Sequence, residues 1–237
     1  MLRTIILAIA LPVITLPLCL LILIISVFSP NARVLDGMVR FWSWVLVRLA
    51  GIRLTVEGSE NMRGDQRYVV VANHKSWFDI TCLVLAIPQR MRFMGKISLF
   101  KIPIFGWALS RLGFIPIDRK NRSTAVQSFD LAASRIRQGY SVLIFPEEGR
   151  SRTRDMRPFQ RGAFLLAMKS ELPILPVAVD GTYDVMRAGA WKVTPGPVFI
   201  RFGTPIETAG LLVRDRQRLA DEARDQILAM TGGPDAP

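Results

Sequence analysis

The stretch YVVVANHKSWFDITCLVLA, residues 68–86, decides the fold of this chain. Residues 68–72 are a short apolar run rich in valine, which is typical of a strand buried inside a sheet. Residues 80–86 continue as an apolar helix, and a polar turn joins the two. Because strands that alternate with helices build α/β proteins, this unit predicts an α/β domain.

Further strands and helices alternate around this unit. Strand patterns occupy 53–57, 113–117, 141–145, 198–202 and 174–179, the last of which we expect Pro176 to break. Helical patterns occupy 124–138, 164–169 and 215–230. The sequence therefore predicts a mixed central sheet flanked by helices, in a domain that spans residues 53–237.

The N-terminal residues have the composition of a membrane anchor. No charged residue lies between Arg3 and Arg33, and residues 4–28 are almost continuously apolar. A helix that rises about 1.5 Å per residue can cross a hydrocarbon core of about 30 Å with such a run. The run is longer than the apolar part of a signal peptide. Pro12 and Pro17 leave two forms open, a kinked spanning helix or a hairpin within one leaflet.

A second segment, residues 34–52, combines Trp42 and Trp44 with Arg40 and Arg48. This composition suits a helix at the membrane interface, and an ordinary helix packed on the domain remains the alternative. We therefore predict that residues 1–52 form an anchor and an interfacial helix. Cationic residues are more numerous after the apolar run than before it, so the positive-inside rule places the domain in the cytoplasm.

The charge of the chain indicates a polyanionic partner. Lys and Arg total 31 against 19 Asp and Glu, a net charge of +12. Nucleic acid, an anionic membrane surface and a phosphate-bearing substrate would all suit such a balance, as would a generally basic proteome. The apolar N-terminus favours the membrane surface over nucleic acid. Cys19 and Cys82 lie in apolar stretches and are expected to be buried thiols without a disulfide.

Several classes of enzyme lack their usual signatures here. The sequence has no glycine-rich phosphate or dinucleotide loop, no Gly-x-Ser-x-Gly and no Cys-x-x-Cys. Its single histidine excludes a metal site built from several histidines. We therefore expect neither a metal nor a cofactor.

The single histidine, His74, follows directly on the predicted strand 68–72. Ligands of α/β proteins bind beyond the carboxyl ends of the strands, although a lone histidine can also be purely structural. Ser76 and Asp79 have the spacing of a capping box with Ser76 as the N-cap. Across this turn, Asp79 could hold one ring nitrogen of His74 and leave the other free as a base. Alternatively, Asp79 only caps the helix.

Two further strand ends carry arginine. Residues 145–152 include Glu147 and Arg150, and residues 113–119 end in Arg119. Arginine binds a phosphate through two parallel donors, and an adjacent carboxylate can accept from hydroxyl groups. Three strand ends that present histidine and arginine predict one site for an anionic substrate.

Four stretches in this order resemble the conserved blocks of the lysophosphatidic acid acyltransferases, the 1-acylglycerol-3-phosphate O-acyltransferases. They are 73–79 (the His-x4-Asp block), 113–119, 145–152 and 172–177. In the third block the family usually has Phe-Pro-Glu-Gly-Thr-Arg-Ser, and this chain has Glu148-Gly149 in place of Gly-Thr. The resemblance implies two catalytic residues, His74 and Asp79, and five substrate-binding residues: Lys96, Arg119, Glu147, Arg150 and Pro176.

The resemblance also implies a reaction. An acyl chain passes from acyl-CoA or acyl carrier protein to the sn-2 hydroxyl of 1-acyl-glycerol-3-phosphate, which gives phosphatidic acid in phospholipid biosynthesis. The protein is then expected in a membrane, the inner membrane of a bacterium, with its catalytic domain on the cytoplasmic face. The extra carboxylate of Glu148 leaves other acceptors open: glycerol-3-phosphate, another lysophospholipid or a lyso-aminolipid. A membrane-anchored protein that binds anionic lipid without turnover is the non-enzymatic alternative.

Overall fold

The computed structural model describes residues 1–29, 33–118 and 122–232. The strands are β1 (Ile52–Glu57), β2 (Val69–Ala72), β3 (Met91–Lys96), β4 (Ile115–Ile117), β5 (Ser141–Ile144), β6 (Ile174–Asp180) and β7 (Gly196–Phe202). The helices are α1 (Leu2–Phe28), α2 (Arg33–Ala50), α3 (Phe78–Ala86), α4 (Ile97–Phe100), α5 (Phe105–Arg111), α6 (Arg122–Arg137), α7 (Gly162–Lys169), α8 (Thr182–Met186) and α9 (Arg216–Met230).

Within the described residues the strands form one seven-stranded sheet in the order β1-β7-β6-β2-β5-β3-β4. β6, β2, β5, β3 and β4 run parallel to one another, β7 is antiparallel to β6, and β1 is parallel to β7. The predicted mixed sheet is confirmed. Because five parallel strands end at the same edge, the residues that follow them are gathered there.

The run of valines in β2 reflects burial on both faces of the sheet. Val70 belongs to the core on the side of α2 and α3, while Val69 and Val71 belong to the core on the side of α6, α7 and α9. Successive side chains of a strand point to opposite faces, so a central strand covered by helices on both sides must be apolar throughout.

The expected break at Pro176 is wrong, because β6 runs without interruption from Ile174 to Asp180. The carbonyl oxygen of Pro176 accepts from the N–H of Gly203 (2.8 Å), so the main-chain polar groups of Pro176 point toward the β7 side. The ladder with β7 starts one residue later, at Val177 and Phe202. Proline has no N–H to donate back to Gly203, so this rung has one hydrogen bond instead of two, and the strand continues beyond it.

The sequence patterns did not predict β3. Its apolar run is interrupted by Arg92, which is buried in the structure. Asp36 of α2 binds Arg92 (Nη1–Oδ1 2.7 Å) and also Arg90 (Nε–Oδ2 2.6 Å). A charged side chain can be buried when it is paired, and this partner lies on a distant segment, so a local pattern cannot reveal the strand.

α1 and α2 form an antiparallel hairpin. The Arg3 guanidinium donates to the carbonyl oxygen of Leu49 (3.1 Å), and Trp42 Nε1–H donates to Thr15 Oγ1 (2.9 Å). α1 is helical throughout its length and includes both of its prolines. Among the described residues, α1 is the one helix long and apolar enough to cross a membrane.

The hairpin contacts the α/β domain through α2, which packs against α3. The guanidinium of Arg40 donates hydrogen bonds to three main-chain carbonyl oxygens at the C-terminal end of α3, those of Val84 (2.8 Å), Leu85 (3.0 Å) and Ile87 (2.9 Å). The last carbonyls of a helix have no partner inside it, so a cation there satisfies them and opposes the helix dipole. α2 thus packs on the domain through one face, while Phe41 and Trp44 are about half exposed on another.

Candidate active site

His74 lies two residues beyond the end of β2, with 13% of its side chain exposed. Its Nδ1 is 2.7 Å from Asp79 Oδ2, and its ring stacks on Phe145 with the centroids 4.0 Å apart. No residue in the described part of the chain hydrogen-bonds Nε2. The geometry therefore fixes the ring and leaves one nitrogen available for proton transfer.

Asp79 holds the whole turn through one oxygen. Besides Nδ1 of His74, Oδ2 accepts from the main-chain N–H groups of Lys75 (2.7 Å) and Ser76 (2.8 Å). Asp79 is fully buried, and its other oxygen, Oδ1, has no hydrogen-bond partner among the described residues. The two roles weighed for Asp79, capping and orientation of the histidine, are thus carried by the same atom.

The prediction that Ser76 is the N-cap of α3 is wrong by one residue, because α3 begins at Phe78 with Trp77 as its N-cap. Ser76 is held by another segment: it forms a bridge with Arg187, and its hydroxyl donates to the carbonyl oxygen of Met186 (2.7 Å). The same hydroxyl still accepts from the N–H of Phe78 (3.2 Å). A tertiary contact therefore competes with the local cap.

Asn73 is a positioning residue that the sequence patterns did not identify. It is fully buried, and its side-chain amide forms two hydrogen bonds with Val179 of β6, donating to the carbonyl oxygen (2.7 Å) and accepting from the N–H (2.8 Å). This pair fixes the start of the His74 turn to the neighbouring strand. A polar residue directly after a buried strand was the available signal, but its partner lies 106 positions away.

Glu147 lies beneath the main chain of His74. One carboxylate oxygen accepts from the N–H of His74 (2.7 Å), and the other accepts from the N–H of Arg157 (2.8 Å). Ser151 N–H in turn donates to the carbonyl oxygen of His74 (2.8 Å). Only 2% of Glu147 is exposed, so its present contacts are those of a residue that positions the His74 turn.

Burial raises the pKa of Glu147 above its ordinary value of 4.5, against the opposing effect of its two N–H donors. Between pH 4.5 and the raised pKa, the folded protein retains a proton that the unfolded chain has released, so stability falls as the pH rises. We expect Glu147→Gln to lack this contribution. Denaturant unfolding from about pH 4.5 to neutrality, with exposed Glu60→Gln as control, measures it; identical pH profiles for wild type and Glu147→Gln would contradict it.

Glu148 adopts a positive φ of 55°, a left-handed conformation. An L-residue there is disfavoured by about 1–2 kcal/mol, and glycine, which the resemblance places at this position, is not. The greater conformational entropy of glycine in the unfolded chain offsets part of this gain. We therefore expect Glu148→Gly to raise the free energy of unfolding by about 0.5–1 kcal/mol. Glu148→Gln removes the charge but keeps the strain, so it is the matched control. Equal stabilities of the two variants in denaturant melts would refute the strain.

Arg150 is the cation that lies beside the histidine turn. Its guanidinium lies 4.6 Å above the centroid of the Trp77 ring, and Nη1 is buried without a hydrogen-bond partner among the described residues. Burial lowers the pKa of Arg150, and the negative charge of Asp79 partly offsets this effect. A buried donor that lacks a partner is suited to receive an anionic ligand.

The remaining predicted site residues are less closely grouped. Lys96 is exposed at the carboxyl end of β3, so it shares the sheet edge with His74 without a described contact to it. Pro176 is buried in β6 opposite Val71 of β2. Arg119 lies outside the described residues. The structure therefore brings together His74, Asp79, Glu147 and Arg150, and places Lys96 at the same edge.

Within the described residues, the surroundings of His74 offer no side-chain nucleophile that could form a covalent intermediate. No hydroxyl or thiol in the described ranges hydrogen-bonds the His74 ring. Burial, with a smaller effect of the Asp79 charge, raises the pKa of Cys82 to about 12, so this thiol is not a nucleophile at neutral pH. Across the same ranges no group of three or more His, Cys, Asp or Glu side chains is placed to hold a metal ion.

Comparison with known proteins agrees with this geometry. Residues 53–180 match the family model described as Acyltransferase. The crystal structure of the 1-acyl-sn-glycerophosphate acyltransferase PlsC from Thermotoga maritima superposes with a TM-score of 0.82 at 26% sequence identity, covering 97% of this chain and 93% of that one.

Curated relatives carry the same activity in their names. The human 1-acyl-sn-glycerol-3-phosphate acyltransferase alpha is 32% identical over 216 residues, which cover 90% of this chain and 76% of the relative. The chloroplastic 1-acyl-sn-glycerol-3-phosphate acyltransferase BAT2 of Brassica napus is 33% identical over 174 residues, 73% of this chain. The chain spans about half the length of the Brassica relative, 49%.

Proposed function

We propose, from the premise that the chain belongs to the family of 1-acyl-sn-glycerol-3-phosphate acyltransferases, that it transfers an acyl chain from a thioester donor to the sn-2 hydroxyl of 1-acyl-sn-glycerol-3-phosphate. The product is phosphatidic acid. One observation carries the proposal: His74 is bound to buried Asp79 through Nδ1 at 2.7 Å, with Nε2 left free at the carboxyl edge of the sheet. This is the arrangement that a general base requires.

In this mechanism Nε2 of His74 accepts the proton of the acceptor hydroxyl while the oxygen attacks the thioester carbonyl. The carboxylate of Asp79 stabilises the imidazolium that forms. Collapse of the tetrahedral intermediate breaks the carbon–sulfur bond, and the proton on His74 passes to the departing thiolate. The products are an ester and a free thiol, and His74 returns to its neutral form.

The other site residues hold the substrates. The unpartnered Nη1 of Arg150 is suited to the acceptor phosphate, and Lys96 and Arg119 are proposed to share it from the neighbouring strand ends. Glu147, whose carboxylate holds the main chain of His74, remains a proposed substrate-binding residue, and Pro176 is proposed to shape the site from β6. The donor is acyl-CoA or acyl carrier protein, and no metal or cofactor takes part.

The membrane location is part of the proposal. The apolar α1 supports membrane association. We place residues 1–52 in and on the membrane, the inner membrane of a bacterium, with residues 53–237 on its cytoplasmic face. An acceptor that is itself a lipid can then reach His74 without leaving the bilayer.

Glu148 favours a second candidate acceptor. Its exposed carboxylate lies two residues from Arg150 and forms no ion pair among the described residues, so it disfavours a dianionic phosphate. A site with Glu148 would accept a lysophospholipid or lyso-aminolipid with a cationic head group more readily than a site with glycine at this position.

One assay tests the proposal. Purified protein is incubated with acyl-CoA or acyl carrier protein and a panel of acceptors: lysophosphatidic acid, glycerol-3-phosphate, lysophosphatidylethanolamine and a lyso-aminolipid. Mass spectrometry then identifies the products. We expect phosphatidic acid to form fastest. Faster acylation of a zwitterionic acceptor would support the second candidate, and binding of these lipids without any product would refute both.

A further inference from the structure

A cleft lies beside the turn that carries His74. It has a volume of about 490 Å³ and is formed by α8, by the loop that leads to β7 and by Arg154 of the loop that precedes α7. Its lining residues are Arg154, Tyr183, Asp184, Met186, Arg187, Ala190, Lys192 and Thr194. This volume is within the range of about 300–1,000 Å³ that is usual for small-molecule sites.

The cleft carries a positive charge that its own residues do not neutralise. Asp184 is occupied by Arg154, with Nη2–Oδ1 at 2.5 Å and Nη1–Oδ2 at 3.1 Å. Arg187 and Lys192 are exposed and have no ion pair in the described part of the chain. Two exposed cations in the lining of one cleft, together with the half-buried ring of Tyr183, suit a ligand with more than one phosphate group.

The walls of this cleft are continuous with the loops that hold His74. Ser76, two residues after His74, forms a bridge with Arg187, and its hydroxyl donates to the Met186 carbonyl oxygen at 2.7 Å. On the other side, the Tyr183 hydroxyl donates to the carbonyl oxygen of Arg152 (3.2 Å), in the loop that also carries Arg150. A ligand in the cleft therefore lies next to the reacting groups without occupying them.

Both substrates of the proposed reaction carry phosphate, and the chain has two separate groups of cations. Lys96 and Arg150 lie at the strand ends, where the lipid acceptor is expected. Arg187 and Lys192 lie beyond Ser76, on the side of α8. Coenzyme A has its three phosphate groups at the nucleotide end and its thioester at the end of a flexible arm, so a nucleotide site beside His74 would leave the arm free to bring the thioester there.

We propose that this cleft binds the 3′-phosphoadenosine diphosphate end of acyl-CoA, with Arg187 and Lys192 as its phosphate ligands. The proposal rests on the proposed function for the identity of the donor. It assigns the donor to coenzyme A, because the cleft has the volume of a small-molecule site and because its two unpaired cations can each contact a phosphate group.

Binding is tested without turnover. Calorimetry measures the Kd of free coenzyme A and of adenosine 3′,5′-bisphosphate for the wild type and for the double variant Arg187→Gln/Lys192→Gln. We expect the Kd to rise by about tenfold or more, since two charge-assisted contacts are lost. The control is Arg137→Gln/Lys169→Gln, two exposed cations at the opposite edge of the sheet, where α6 and α7 end. Equal effects of the two double variants would overturn the proposal.

Kinetic assays distinguish nucleotide binding in this cleft from the acyl-transfer reaction. With the cleft variant, the KM for palmitoyl-CoA should rise by about tenfold while the KM for lysophosphatidic acid stays the same. With S-palmitoyl-pantetheine, which lacks the nucleotide, variant and wild type should have equal kcat/KM. A defect confined to acyl carrier protein would overturn the assignment to coenzyme A. If coenzyme A binds as expected but no acceptor is acylated, the proposed function fails and the nucleotide site stands.

Discussion

Substitution of His74 by alanine is expected to lower kcat by about 10³-fold, because general-base catalysis contributes on the order of 10²–10⁴ to a rate. The Nε2 of His74 has no hydrogen-bond partner among the described residues and is the proposed base. Without it, the acceptor hydroxyl must lose its proton to water. The assay is the formation of phosphatidic acid from lysophosphatidic acid and an acyl thioester.

The fold should survive this change. In His74→Ala the oxygen of Asp79 still accepts from the N–H groups of Lys75 and Ser76, and Glu147 still accepts from the main-chain N–H at position 74. Thermal unfolding and lipid binding should therefore resemble those of the wild type. Full activity in a folded His74→Ala protein would remove the proposed mechanism, and unchanged lipid binding with no activity in either protein would favour the non-enzymatic alternative.

Asp79→Asn should lower kcat by about 10²-fold or more while the structure of the turn is largely kept. The amide oxygen of asparagine can still accept from Lys75 and Ser76, so the cap persists. Its neutral amide, however, no longer stabilises the imidazolium of His74 and no longer enforces the tautomer with a proton on Nδ1. The loss should appear in kcat more than in the KM of either substrate.

Ser76→Ala is the matched control for this prediction. It removes the hydroxyl bonds to Phe78 and Met186 but leaves the Asp79 carboxylate and all of its donors. We expect this variant to lose stability by about 1 kcal/mol and to keep its activity within roughly fivefold. If Asp79 only caps the turn, Asp79→Asn will be nearly as active as Ser76→Ala, and the role in orientation will be excluded.

The sequence predicted the features that depend on neighbouring residues. The run of valines in β2 predicted a strand buried inside the sheet. The spacing of His74 and Asp79 across a strand-to-helix turn predicted that they meet, and in the structure Nδ1 of His74 lies 2.7 Å from Oδ2 of Asp79. The placement of the site residues at one edge of the sheet followed from the direction of the strands, because the carboxyl ends of parallel strands lie at the same edge.

The features it did not predict depend on partners far along the chain. β3 was missed because buried Arg92 needs Asp36 of α2, and the role of Asn73 depends on Val179 of β6. The contact between the Glu147 carboxylate and the main-chain N–H of His74, 73 positions away, was not predicted either. Local periodicity carries no information about such pairs, because they form only when the whole sheet is assembled.

The three hydrogen bonds of Arg40 tie the hairpin of α1 and α2 to the α/β domain. α3 is nine residues long, about 13 Å, with Asp79 at one end and the carbonyls held by Arg40 at the other. A shortened chain that starts at residue 53 would leave those carbonyls bare and would open the core where Leu46 and Ala50 pack. A water-soluble form is better sought by replacing exposed apolar residues of α1 with polar ones. A tilt of the hairpin in a bilayer would also act on the His74 turn through α3, which is about two and a half turns long.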